Sequence, residues 1–534
     1  MLSEDRYFYT LHDEELWQRY CGFLDLSPDE FVDVQRELLL DQIERVAGSK
    51  LWHKIVGDRK PDSVDEFRRI VPLTTYEDYE PYLTEHQEDA LAMKPVTWCH
   101  SAGRSGQFKW YPLSSDFTDN IAKNMLACLI LATTNERGQI NFRPGARILL
   151  PLAPPPYSSA LTMQFFGEHF TYHDVILSAV KNKDIEFSEK AQLGFQKALV
   201  EGVDIVGSLP SILVRMGEEF DKPRTTKFEW YMLHPRVLST VLRGKLRSKR
   251  EHRNMLPKDM WPTKTIMVGG MDAHIYRDEI SKYWGHIPYE FYISSESFHI
   301  AMQSWNRKWM TFVPDMVFLE FIPHKEVLKW ESNQDYQPST VLLNQVEAGE
   351  LYEVVVSHFY GMPLLRYPLR DLIKIVALKD DETGINLPQM SFQRRVDEAI
   401  NIGGLAQLDE KTIWQAMTNT GMKFTEWTAY KEFEHDKAYI KVLIESNNHN
   451  EVDEVEKAID VQLTSIDTDY KDIHYYLEYN PIKVRFLSSG TFERYIEERK
   501  KEGSNPTHYK PAHISPTEST IQSILRLSDS VVKA

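Results

Sequence analysis

The chain has 534 residues, more than a single hydrophobic core supports, so two or more domains are expected. Hydrophobic residues make up 42% and charged residues 26%, which excludes wholesale disorder, and a net charge of -17 argues against nucleic acid or an anionic membrane surface as a partner. Only three scattered cysteines occur, Cys21, Cys99 and Cys128, which excludes a disulfide framework or a cysteine zinc site and suits a reducing compartment.

The first residues are acidic and lack a basic stretch followed by an apolar one, so no secretory signal is evident. The longest apolar run, 126–132, falls far short of the roughly 20 residues a membrane span needs, and a soluble, cytoplasmic protein is expected. Residues up to 95 read as mainly helical. Ser27-Pro28-Asp29-Glu30 is a capping box with Pro in the first turn, and Val32, Leu39, Ile43 and Val46 then recur on one helix face until Gly48. Thr74 with Glu77, after Pro72, marks a second helix start.

The most concentrated chemistry follows. Ser101-Ala102-Gly103-Arg104-Ser105-Gly106-Gln107-Phe108-Lys109 sets glycines, serines and two cations ahead of Trp110-Tyr111. A phosphate-holding loop needs that mixture, because glycines let backbone N–H groups approach the anion, serines add donors, and Arg or Lys adds charge. The spacing of a Walker A loop is absent, and a Gly/Ser turn before a basic residue also serves as plain punctuation. Cys99 reads as a strand-end packing residue, since sequence adjacency to His100 supplies no nucleophile–base geometry.

A helix over 116–133, a buried strand over 147–152 and a Pro-rich turn over 153–159 come next, and this alternation points to an α/β architecture. His169 and His173 are four residues apart, but their order is not His-Glu-x-x-His. A β-prone setting would hold them about 13 Å apart on one strand face, which favours a structural role over a metal. Residues 203–206 read as a strand, Ser208-Leu209-Pro210 as a helix start, 243–253 as a solvated basic face, and 265–271 as a strand entering a glycine turn.

Tyr289-Glu290-Phe291-Tyr292-Ile293-Ser294-Ser295-Glu296-Ser297 ends a β-rich run in hydroxyls and a carboxylate, at the kind of strand terminus where α/β folds site ligands. The alternative is a strand followed by a helix capped by Ser295. After a strand over 350–359, Arg366-Tyr367-Pro368-Leu369-Arg370-Asp371 offers a carboxylate between arginines, suited to a ribose diol or to an ion pair. A boundary near Gln393 separates 1–392 from a small α+β domain, 393–534. In that domain 438–445 and 482–487 read as strands, Val455, Ile459, Leu463 and Ile466 as one helix face, and 491–501 as a helix ended by Gly503.

Taken in order, the Gly/Ser/Lys loop, Tyr292-x-Ser294-Ser295-Glu296 and Arg366-Tyr367-x-x-x-Asp371, ahead of a small C-terminal domain, resemble the acyl-adenylate-forming enzymes. Within that group the chain resembles the auxin-responsive acyl acid amido synthetases, and more distantly the phenylacetate coenzyme A ligases. Gly270-Met271, Phe424-Thr425-Glu426-Trp427-Thr428-Ala429-Tyr430 and the stretch from Gly490-Thr491-Phe492 through His508-Tyr509-Lys510-Pro511 share in it. The resemblance implies a large N-terminal adenylate-forming domain of mixed sheets and helices with a small mobile C-terminal domain. It also implies an ATP- and Mg²⁺-dependent ligase that activates a small carboxylic acid and passes it to an amino acid or other amine. A coenzyme A ligase using a thiol acceptor, and a noncatalytic nucleotide or acyl-acid binding protein, are the alternatives.

Residue by residue, the resemblance implies that Ser101, Gly103, Ser105, Gly106 and Lys109 cradle the ATP phosphates. Tyr292 would lie by the adenine, Ser295 by the α-phosphate, and Glu296 would bind Mg²⁺. Asp371 would accept from the ribose hydroxyls, with Arg366 supporting its loop. Lys510 would swing to the reacting centre by closure about 393–395. The acid pocket would draw on 155–159, the helix after Ser208 and the neighbourhood of Met271. Three positions depart from the family: Arg104 stands for Thr, Arg370 for the Gly of the amido synthetases, and Ala406 near a post-hinge Lys.

Overall fold

Ser27 opens the first long helix through a reciprocal cap: its hydroxyl accepts from the Glu30 amide while Glu30 Oε2 accepts from the Ser27 amide. Two donors that a helix start leaves orphaned are thereby satisfied. The helix Pro28–Val46 buries Val32, Leu39, Ile43 and Val46. From the same face Gln35 Nε2 donates to Val317 O and Gln42 Nε2 to Met362 O, each at 2.7 Å, which docks the helix on chain some 300 residues away in sequence. The expected helix start at Thr74 is a correction. Thr74 Oγ1 is drawn away to Leu365 O at 2.6 Å, the box is made by Thr75 and Asp78, and only the 3-10 turn Tyr76–Tyr79 follows.

The computed structural model describes residues 2–101, 108–152, 155–176, 187–221, 234–269, 276–333, 335–396, 400–402, 406–434, 437–446, 451–477, 479–501 and 512–532. The chain forms two compact units, one ending at Val396 and the other running from Asp397.

The larger unit is mixed α/β. A hairpin, β1 (Thr97–Ser101) and β2 (Lys109–Leu113), stands apart from one large sheet. That sheet contains β3 (Ala146–Leu149), β4 (Tyr172–Asp174), β5 (Ile205–Ser208), β6 (Thr265–Val268), β7 (Tyr289–Ser294), β8 (Phe298–Gln303), β9 (Met310–Phe312), β10 (Val317–Pro323), β11 (Leu351–His358), β12 (Tyr367–Ala377) and β13 (Gln389–Arg395). Their order is β10-β11-β12-β13-β9-β8-β7-β6-β5-β3-β4. From β4 to β7 neighbours pair parallel, and from β7 to β10 they pair antiparallel. The helix Ser115–Thr133, capped by Ser114 accepting from the Phe117 amide, is buried almost all round, as its apolar sequence on every face requires.

His169 and His173 do not share a strand as expected. His169 is the last residue of the helix Ser158–His169 and faces Asp119, whereas His173 on β4 faces Glu201 at 2.8 Å.

A buried ionic cluster ties the layers together. Arg366 Nε and Nη2 donate to the two carboxylate oxygens of Glu320 on β10 at 2.9 and 3.0 Å, while Nη1 donates to Arg68 O and Val71 O, both at 2.8 Å. Glu320 also receives Arg68 Nε at 3.2 Å and the Thr340 hydroxyl at 2.6 Å. Every oxygen and most donors of the cluster are matched, which is what a buried charge requires.

The smaller unit pairs β16 (Glu426–Glu434) antiparallel with β17 (Lys437–Glu445), and β17 parallel with β18 (Ile482–Leu487); a separate hairpin joins β14 (Ile400–Ile402) to β15 (Ala406–Leu408). Ile440, Val442 and Ile444 pack with Val455, Ile459 and Leu463 of the helix Val452–Ile466 into its core. No helix among the described residues is long and apolar enough to cross a membrane.

Replacing Glu320 by Gln leaves Arg366 and Arg68 without their common anion. The larger unit is expected to lose about 3–5 kcal/mol, read as a lower urea midpoint against wild type. An unchanged midpoint would show that the cluster is not stabilising.

Candidate active site

Because β3, β5, β6 and β7 run parallel, their carboxyl ends open on one edge of the sheet. Chain leaving those ends supplies residues 155–159, the helix Pro210–Asp221, Gly269 and Ser295-Glu296. That is the edge where open α/β sheets collect ligand-binding groups. The turn after β7 runs straight into β8, so Ser295 caps no helix; Ser294 Oγ instead accepts from the Ser297 amide and closes the turn.

The β1–β2 hairpin is two-faced. Its register sets Cys99 opposite Tyr111 and Ser101 opposite Lys109, and residues two apart along a strand share a face. On that face Tyr111 OH donates to Glu296 Oε1 at 3.2 Å, Lys109 Nζ donates to Tyr367 OH at 3.3 Å, and Cys99 Sγ lies 3.8 Å from Ser295 O. Trp98, His100, Phe108 and Trp110 occupy the opposite face; His100 stacks on Phe108 at 4.0 Å and meets the Tyr157 ring edge-on at 4.5 Å. From the helix Ser158–His169, Ser158 Oγ reaches Ser295 Oγ at 3.0 Å.

Electrostatics fix the donors. Burial, reinforced by the Glu296 carboxylate, raises the Tyr111 and Tyr367 phenols far above their ordinary range, so both stay protonated. Burial and Asp371 do the same to Tyr292, whose OH donates to Asp371 Oδ2 at 2.6 Å; Arg395 Nε stands 3.6 Å from Asp371 Oδ1. His358 is buried and neutral, pushed down to about 4 by desolvation. Its Nδ1 accepts from the Leu364 amide, leaving Nε2–H to donate to Glu296 O at 2.5 Å and hold that backbone in place. Glu296 Oε2 has no hydrogen-bond partner among the described residues. A carboxylate with an open oxygen beside hydroxyls is the donor chemistry a hard cation such as Mg²⁺ takes, so the residues fit that ion.

Ser101, Lys109, Tyr292, Ser295, Glu296 and Asp371 thus gather in two linked groups, one around Glu296 and one around the Tyr292–Asp371 bond. Arg366 stands apart, its guanidinium committed to the buried cluster with Glu320. Gly103, Ser105, Gly106, Lys510, Arg104 and Met271 lie outside the described residues. Sequence reading missed Tyr111, Tyr367 and His358. The first was legible from the hairpin alternation with Lys109, the other two only from long-range pairing.

Arg370 has φ +60°, the left-handed region that glycine enters freely and that costs other residues about 1–2 kcal/mol. The guanidinium pairs with the fully buried Glu353 at 3.1 Å and lies 5.4 Å from the Trp330 ring, which offsets that cost.

Three domain models of one family match the chain: the GH3 family N-terminal domain over residues 23–150, the central domain over 310–395 and the C-terminal domain over 410–519. The chain is 27% identical to the indole-3-acetic acid-amido synthetase GH3.3 of Arabidopsis thaliana over 47% of its own length and 43% of that protein. It is 24% identical to the 4-substituted benzoates-glutamate ligase GH3.12 of the same plant over 83% of its own length and 86% of that protein. The chain thus spans less than half the length of the first relative and most of the second. A solved 2-hydroxyisobutyryl-CoA ligase, with 2-HIB-AMP and CoA, shares the fold at a TM-score of 0.53, 13% identity and coverage of 86% of this chain and 85% of that one.

An unfolded imidazole titrates near 6.5. Since His358 refuses its proton until about 4, the unfolded chain binds one proton more across that window and stability falls as pH is lowered through it. Urea midpoints of wild type and His358→Asn measured across the window are expected to diverge, with the shallower slope in the variant. Parallel slopes would mean that His358 is not the titrating group.

Proposed function

The chain belongs to the GH3 family, and from that premise we propose that it is an ATP-dependent ligase that activates a small carboxylic acid as an acyl-adenylate and passes the acyl group to an amino acid or other amine. In the first step a carboxylate oxygen of the acid attacks the α-phosphorus of ATP and pyrophosphate leaves. In the second the amine nitrogen attacks the acyl carbon, AMP leaves and the nitrogen gives up a proton. The observation that carries the reading is the meeting of Glu296, Ser295, Tyr111 and Lys109 at the carboxyl edge of the parallel strands.

In this reading Ser101, Gly103, Ser105, Gly106 and Lys109 hold the phosphates, Ser295 donates to the α-phosphate, and Asp371 accepts from the ribose. Tyr292 lies beside the adenine while its OH orients Asp371. Glu296, kept in place by Tyr111 and His358, holds Mg²⁺, which when bound neutralises phosphate charge. Arg366 supports the loop that carries Asp371. Lys510, on the mobile C-terminal domain of residues 393–534, supplies a cation to the developing charge. The cytoplasm, where ATP and magnesium are abundant, is the proposed location. The acid pocket lies around Tyr157, Ser158 and the helix Pro210–Asp221, an aromatic and apolar setting that suits an aryl or short alkyl acid.

The second reading is a coenzyme A ligase, in which a thiol takes the place of the amine. Mass analysis of the product formed with amino acids or coenzyme A separates the two.

Acid-dependent ATP–pyrophosphate exchange across a panel of aryl and alkyl acids is expected with at least one of them, and silence across the panel would remove the ligase reading. Lys510→Ala is expected to bind ATP about as wild type does by calorimetry while adenylate formation drops about 10²-fold. Equal loss of binding and rate would remove the lysine's role.

A further inference from the structure

β8 is distorted where it leaves the turn that carries Ser295 and Glu296. Phe298 has φ +56°, in the left-handed region where a bulky side chain is strained. The register with β7 then slips: Ile293 pairs with His299 and Tyr292 with Ala301, which leaves Ile300 as an extra residue. Such a bulge re-aims the side chains beside it. His299 lies between the two irregularities, three residues after Glu296.

The imidazole placed there is 1% exposed, and neither Nδ1 nor Nε2 has a hydrogen-bond partner among the described residues. His358, the buried histidine that holds the Glu296 backbone, uses both of its nitrogens. A buried N–H and a buried lone pair left unmatched forfeit the hydrogen bonds they have in water, so an apolar side chain would serve this core position better. Burial pushes the ring down to about 4, so near neutrality it carries one N–H and one lone pair.

Its neighbours form a bed for a ligand. The Phe291 ring lies 6.5 Å from the His299 ring with planes 29° apart, and Phe291 Cζ is 3.8 Å from where a Cβ on Gly269 would stand. Apart from the chain neighbours of Gly269, no other described residue comes within 4 Å of that point, so the glycine leaves room beside the Phe291 ring. His299, Phe291 and Gly269 thus run as a row across β8, β7 and the end of β6, at the carboxyl edge.

We propose that His299 is a specificity residue of the acid site: it pairs with a hydroxyl on the acid, whose apolar or aryl body lies against Phe291 beside Gly269. This rests on the ligase reading above and narrows its substrates to hydroxy acids. A hydroxyl both donates and accepts, so it pairs with whichever imidazole nitrogen faces it, and a hydrocarbon pairs with neither. A site that keeps a buried polar group for a substrate hydroxyl rejects the analogue lacking it more strongly than an apolar pocket sorts acids by size, because the protein's own group is then left unpaired.

The test is ATP–pyrophosphate exchange by the full chain with acids in matched pairs that differ by one hydroxyl: benzoate and phenylacetate against their ring-hydroxylated forms, and propanoate against lactate. Wild type is expected to favour the hydroxy member of at least one pair by about 10²-fold or more in kcat/KM. The ratio is expected to stay level from about pH 6 to 8, since the imidazole remains neutral there. His299→Leu is expected to bring the ratio within about threefold of unity, by loss on the hydroxy acid, with KM for ATP within about twofold. His299→Asn, which keeps a donor and an acceptor, is expected to restore part of it. The folding of each variant is checked by its thermal transition. An unchanged ratio in folded His299→Leu, the result if the imidazole meets only water, overturns the proposal, as does a wild type that exchanges without a hydroxyl preference in any pair; the ligase reading survives both. Wild type that exchanges with no acid overturns the reading and this inference with it. If the variants do not fold, the wild-type ratios decide: a level preference of about 10²-fold from about pH 6 to 8 supports the proposal, and one that changes across that range overturns it.

Discussion

The larger unit depends on one buried ion pair, Arg366 with Glu320, and on the carbonyls that the same guanidinium gathers. A charge in the interior survives only if its donors are spoken for, and Arg366 draws in three elements to satisfy them: β10, the end of the helix Val64–Ile70 and β12. The backbone bends to allow it. Arg366 and Arg370 both have positive φ, +43° and +60°, and between them lie the residues that lead into Asp371. The strain is local, the anchors are ionic, and the candidate ribose-binding carboxylate is what the bend delivers.

Around that frame, proton positions are set by burial more than by charge. Tyr111, Tyr292 and Tyr367 remain donors beside carboxylates because ionising a phenol there would put a second anion in a dry site. His358 stays neutral for the converse reason, and its tautomer follows from the amide it accepts. The candidate site is therefore rich in fixed hydroxyl and N–H donors, with Lys109 and Arg395 as cations beside it. Such an arrangement suits an anion whose own charge is still to arrive.

Much of this was legible in the sequence where the signal is local. The capping box at Ser27, the helix face of Val455, Ile459 and Leu463, and the strand over 482–487 each follow from neighbours along the chain. The misreadings share a cause. At Thr74 and at His169 a long-range partner, Leu365 O in one case and the extension of a packed helix in the other, outweighed the local preference. The gathering of Ser295, Glu296 and Lys109 was inferred from a resemblance in motif order, while the partners that hold them, Tyr111, Tyr367 and His358, come from registers that sequence separation hides. Arg370 is the clearest case of a departure explained by geometry: a conformation glycine enters freely is held here by an ion pair to Glu353.

The order of the large sheet has a consequence for synthesis. β13 inserts between β12 and β9, where Gln389 and Met390 meet Thr311 and Met310, so the last strand of the unit is the one that joins its two halves. Until residue 395 has left the ribosome, β9 and β12 both present unpaired edges, and an open edge is a template for pairing with another chain. The unit is therefore completed at its own carboxyl end, and a nascent chain halted before that strand carries two further unpaired edges in place of one continuous sheet.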